Sequence, residues 1–71
     1  MKLKDLRVRG LVLQVEPWGA FVSLKPVIDE QATIRITDIP EGVSLKVGDS
    51  IICLILEKEK SGGLILSMLG I

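Results

Sequence analysis

The sequence predicts an all-β domain in which five short antiparallel strands close into one small barrel. Three observations predict it. Apolar residues recur at every second position in short runs, the period of a strand and not of a helix. Glycine and proline interrupt those runs too often for a long helix to form. The chain also has only 71 residues, with one cysteine and no histidine, so neither an internal disulfide nor structural zinc can replace a core. A domain of this size buries only roughly 60% of its unfolded surface. Its apolar faces must therefore be gathered into one interior, and 48% hydrophobic residues supply the material. Five strands cannot cover both faces of an open sheet, whereas closure lets one core serve every strand and removes most edges.

Each element follows from its residues. The first strand is expected over 8–16, with Gly10 marking a bulge or sharp bend. Glu16-Pro17 ends it, because proline removes a donor and fixes φ. The second strand runs over 19–24 and stops at Lys25-Pro26. In it Ala20, Val22 and Leu24 share one side, while Phe21 and Ser23 share the other. Gly19 allows a tight turn or the close approach of another chain beside Trp18. The third strand covers 32–36, with Ala32, Ile34 and Ile36 inward and Thr33 and Arg35 outward. Thr37-Asp38-Ile39-Pro40 suits a single helical turn, with the Asp38 side chain as its cap.

A polar loop over 41–49 follows, with Leu45 and Val47 expected to pin it to the core and Asp49 to close a turn after Gly48. The fourth strand is 51–59, Ser61-Gly62-Gly63 is a hairpin turn, and the fifth strand is 64–68. The expected interior is Val12, Val22, Leu24, Ile34, Ile36, Leu64 and Leu66. A five-stranded Greek-key barrel of this kind is the OB-fold architecture, and one domain is expected over 1–71.

Composition excludes several functions. No run approaches eighteen apolar residues, so no membrane span is expected. MKLKDLRVRG has basic residues but no apolar signal core, so the expected location is cytoplasmic, or nuclear or nucleolar in a eukaryote. No nucleophile–base pair, phosphate-cradling glycine loop or metal-ligand cluster is present, so neither enzymatic activity nor a cofactor is expected. Asp29-Glu30 has no histidine partner. Cys53, inside an apolar run, reads as a small buried hydrophobe. Nine basic and nine acidic residues cancel, which counts against strong nonspecific phosphate binding but permits a local basic face. Lys58 and Lys60 alternate with Glu57 and Glu59 and read as solubilising hairpin surface. Tyr, His and Asn are wholly absent, a composition also compatible with an engineered barrel.

The order of signals resembles the S1 domain, an RNA-binding OB-fold module. The resemblance rests on GLVLQVEPWGAFVSL, then ATIRITDIP, then LKVGDSIICLILE, then GGLILSM. Gly10, Val12, Trp18, Gly19, Ala20, Phe21, Val22, Thr37, Asp38, Ile39, Val47, Gly48, Asp49, Leu66 and Ser67 match its pattern in order. The resemblance implies a noncatalytic module that binds single-stranded RNA across the barrel face, with bases stacked on Trp18 and Phe21. Arg35 occupies a position where the family commonly has an outward histidine, and a guanidinium can stack on a base or pair with phosphate. The final strand departs from the pattern: Gly63 and Ile65 stand where basic side chains are usual, and MLGI replaces a basic extension.

The candidate RNA-binding residues are therefore Trp18, Phe21, Arg35, Arg9 and Lys25, with Arg7 as a further phosphate contact. Trp18 and Phe21 are the only aromatic residues in the chain. Weak binding with little sequence preference is expected. A competing reading comes from an apolar excess. Leu11, Leu13, Ile52, Leu54 and Ile65 cannot all line one small barrel, so some lie outside it or under a loop. An exposed patch of that kind suits a protein partner or self-association, within an assembly module or a larger RNA-processing protein.

Overall fold

In the computed structural model, residues 7–70 are described. Strand β1 (Arg7–Glu16) leads through a two-residue turn into β2 (Gly19–Ser23), and β3 (Gln31–Arg35) follows a seven-residue loop. A short 3-10 turn (Ile36–Asp38), β4 (Ser50–Lys58) and β5 (Leu64–Ser67) complete the domain. The strands close into a barrel in the order β1-β2-β3-β5-β4, with β4 returning to β1. Four ladders are antiparallel and β3–β5 is parallel. An odd number of strands cannot alternate direction around a closed ring, so one pairing must be parallel. The all-β, five-stranded barrel read from the alternation is therefore found, with that one ladder reversed. The expected single domain extends at 1–6 and at 71 outside the described residues, as does most of the segment read as lacking a signal core.

The core sits on the inward rows. Val12 comes from β1, Ala20 and Val22 from β2, and Ala32 and Ile34 from β3; Ile51, Cys53 and Ile55 come from β4, and Leu64 and Leu66 from β5. Leu24 closes one end. Gly10 is inward too, and a Cβ there would lie 2.4 Å from a Val22 methyl. It marks close packing, because the irregularity in β1 falls later, between Val12 and Gln14. A second register shift interrupts β4 between Ile55 and Glu57.

Two expectations about the interior fail. Ile36 is 56% exposed, because β3 ends at Arg35 and the 3-10 turn breaks the period of two. Val47 is exposed at the Gly48 turn, while Leu45 does pack against the core. Ile65 is buried although its neighbours on the strand point inward. The helical turn itself begins one residue earlier than Thr37.

The apolar excess divides as the residue count requires. Leu11, Leu13 and Ile52 lie exposed on the outside of β1 and β4, and Leu54 is half-buried. Cys53 is completely buried, and its thiol reaches the Val8 carbonyl at 3.7 Å. Burial pushes that thiol up from 9.0 to about 11, as expected for a small hydrophobe. Asp49 accepts a 2.9 Å hydrogen bond from the Lys46 backbone N–H and closes its turn. No helix among the described residues is long and apolar enough to cross a membrane.

Candidate nucleic-acid interface

The site is built on the outward row shared by β2 and β3. Inward Ala20 and Val22 force Phe21 and Ser23 outward, since side chains alternate along a strand. On β3 the same rule sends Thr33 and Arg35 outward beside inward Ala32 and Ile34. The ladder register then pairs Gly19 with Arg35, Phe21 with Thr33 and Ser23 with Gln31. Phe21 and Arg35 are diagonal neighbours on one face, as their parity predicts.

Trp18 lies in the turn that precedes β2, not within the strand. Its carbonyl accepts a 2.7 Å hydrogen bond from the Ile36 N–H, which ties the turn to the end of β3. Gly19 makes this possible. It has φ +149°, and a Cβ there would lie 1.9 Å from the Ile34 carbonyl oxygen. The two rings meet edge to face, with centroids 5.1 Å apart and planes at 89°. Trp18 remains 44% exposed and Phe21 half-buried. Neither is a core ring.

Arg35 donates from Nε to Asp38 Oδ2 at 2.8 Å, and its side chain stays 52% exposed. Asp38 makes this pair instead of capping the 3-10 turn, which has no side-chain cap. So Arg35 is anchored by a carboxylate and Phe21 by Trp18, rather than by each other. Lys25 follows β2 and pairs with Asp29 at 3.2 Å, both exposed. Arg9 is exposed on β1 opposite Ile52 of β4. The Leu11–Ser23 register, carried two residues on, places Arg9 on the Lys25 side, at the end of the ladder away from Trp18. The structure thus groups Trp18, Phe21 and Arg35 at one end of the face and leaves Arg9 and Lys25 at the other.

An open groove of about 710 Å³ runs beside Phe21. Leu13, Gln14, Ser23, Lys25, Asp29, Glu30 and Gln31 line it with the ring. Sequence alone does not single out Gln14, Gln31 or Glu30 as binding residues. Gln31 is legible from the β3 alternation, whereas Gln14 depends on the irregularity in β1. Glu30 accepts from Lys58 Nζ at 3.0 Å, so that lysine, read as solubilising surface, ties the loop before β3 to β4. No cluster of His, Cys, Asp or Glu among the described residues could hold a metal ion.

No family model and no curated protein matches the sequence. Solved structures do match in fold. GSP13 from Bacillus subtilis aligns with a TM-score of 0.77 at 24% identity, over 96% of this chain and 55% of its own. The uncharacterized protein MJ1198 from Methanocaldococcus jannaschii gives 0.77 at 22% identity, over 92% of this chain and 89% of its own. A chain of the a/eIF2alpha-aDim2p-rRNA complex from Pyrococcus horikoshii gives 0.76 at 20% identity, over 89% of this chain and 42% of its own. The chain thus spans about half the length of the GSP13 chain and less of the third. These likenesses are of fold, and the small closed barrel found is the OB-fold architecture that the S1 resemblance implies.

Proposed function

We propose that this chain is a noncatalytic module that binds single-stranded RNA, weakly and with little overall sequence preference. The observation that carries the reading is the outward group of Trp18, Phe21 and Arg35 on the β2–β3 face. Two partly exposed rings offer π-faces to bases, and stacking of this kind is worth about 1–3 kcal/mol per base. Lys25 and Arg9 extend the face towards the phosphates. Similar barrels occur in a complex containing rRNA and in a putative exosome RNA-binding protein, which supports the same reading.

Weakness follows from the charges. Arg35 and Lys25 each already face a carboxylate, Asp38 and Asp29, so their pull on phosphate is partly cancelled. With three phosphate contacts, the logarithm of affinity should fall with that of salt at a slope of about −2. Trp18 is the only tryptophan, so its fluorescence reports directly on the face. Titration with a short oligouridylate at low salt should quench it saturably, and the quench should weaken at higher salt. Absence of any binding by folded protein at low salt removes the reading.

A second reading rests on Leu11, Leu13 and Ile52, exposed on adjoining strands. An apolar strip of this kind suits protein association that is insensitive to salt. Light scattering at high protein concentration tests its homomeric form, and a strict monomer counts against it.

A further inference from the structure

We infer that Asp38 is a positioning residue for RNA, an inference that rests on the RNA-binding reading above. Its carboxylate holds Arg35 by Nε, so that the outer edge of the guanidinium meets a phosphate and its plane stays off the two rings. Asp38 is itself well fixed. It is 8% exposed, and its backbone carbonyl accepts a 2.8 Å hydrogen bond from the Met68 N–H at the end of β5. The 3-10 turn that carries it is tied to Trp18 through the Ile36 N–H. One short segment therefore sets both the Trp18 backbone and the Arg35 side chain.

The grip leaves the arginine usable. Nε donates to Asp38 Oδ2 at 2.8 Å, and among the described residues neither Nη nitrogen has a hydrogen-bond partner. The Asp38 side chain is 12% exposed and the Arg35 side chain 52%, so the anion lies inside and the cation outside. The two Nη groups form the end of a rigid fork, with parallel N–H bonds that match two phosphate oxygens. Among the described residues the guanidinium stacks on neither ring, and Trp18 and Phe21 meet only each other. Without Asp38 the long side chain regains its rotamers, and the ring faces attract a guanidinium. Stacked there it would cover the surface that a base needs.

Charge and positioning predict opposite signs. By charge alone, removing a carboxylate beside the face tightens binding to a polyanion. By positioning, Asp38→Ala weakens binding of a short oligouridylate roughly threefold to tenfold, the scale of ordering one long side chain. Its salt slope should also fall from about −2 to about −1.4, one phosphate contact fewer. Trp18 fluorescence titration reads both, with circular dichroism confirming the fold. In an Arg35→Ala background the same Asp38→Ala change should cause no further loss. Arg35→Lys leaves Asp38 untouched and keeps the charge, but an ammonium held by Asp38 has no second edge to offer. It should bind as weakly as Arg35→Ala. Native or tighter binding by Asp38→Ala overturns the inference, as does native binding by Arg35→Lys. A full further loss in the Arg35→Ala background also overturns it, since Asp38 would then act through the turn alone. All three results leave the RNA-binding reading standing, whereas no binding by the native chain removes that reading itself.

Discussion

Gln14 stands across the β1–β2 ladder from Phe21 only because β1 slips register between Val12 and Gln14. In an unbroken ladder Leu13 would take that place. The slip puts an amide beside the ring and leaves Leu13 at the edge of the same groove. The face is thereby more polar than simple alternation along β1 would make it.

Phe21→Ala should separate recognition from stability. The ring is half-buried and edge-on to Trp18, so its loss should cost about 1 kcal/mol of folding free energy. A fully buried phenylalanine would cost about 3–5 kcal/mol. RNA affinity should fall about tenfold or more, since a stacking platform is removed. Urea unfolding and RNA titration of the same preparation check both. A stability loss in the core range with unchanged RNA affinity would make Phe21 a packing residue and nothing else.

What the sequence makes legible is what alternation controls. Ala20, Val22 and Leu24 inward against Phe21 and Ser23 outward is a period of two, and the structure keeps it. Where the backbone leaves that period, the reading fails. Alternation puts Ile36 inward as the next step after Ile34, but its N–H is drawn to the Trp18 carbonyl and the chain turns there. The slip after Val12 has no local glycine or proline to announce it. Gly10, which by its residue type suggests the irregular point, is instead needed for space against Val22. Asp38 reads as a cap because sequence shows its position near Pro40 and not the Arg35 guanidinium three residues back.

Val22→Asp and Ser23→Asp should behave oppositely. Val22 is 1% exposed in the centre of the barrel, and an unpaired carboxylate there should unfold the domain. Ser23 faces outward, and its hydroxyl accepts only a long bond from the Lys25 N–H. An aspartate there should change stability by less than about 1 kcal/mol. Circular dichroism melts of the two variants provide the comparison. Similar melting temperatures would contradict the inward parity of β2.

The Cys53 thiol predicts a loss of stability in alkali. Its folded value is raised to about 11 from 9.0, so the folded state holds its proton where the unfolded state releases it. The favourable contribution is complete below pH 9, and it is lost as pH rises through about 11. Cys53→Ala should flatten that part of the stability profile, measured by urea unfolding from about one unit below the unfolded value of 9.0 up to about 11. The native thiol should also resist a thiol-specific reagent at mildly alkaline pH until denaturant opens the barrel. Rapid labelling of the folded chain would contradict its burial.

Gly19→Ala should damage both fold and site, because two independent constraints meet at that residue. Its φ of +149° lies where L side chains rarely go, and a Cβ would intrude to 1.9 Å from the Ile34 carbonyl oxygen. That oxygen belongs to the β3 backbone, which cannot rotate away as a side chain can. Relief requires β2 and β3 to separate at the Gly19–Arg35 pair, the end of the ladder that positions Trp18 and Arg35. Gly42 provides the control. It has φ +86°, but a Cβ added there would meet nothing within 4 Å. Gly42→Ala therefore encounters backbone strain alone, about 1–2 kcal/mol. Gly19→Ala should lose clearly more stability than Gly42→Ala, and a shifted Trp18 emission should accompany the loss. Equal losses in the two variants would show that the close approach of β2 to Ile34 is not what makes glycine necessary beside Trp18.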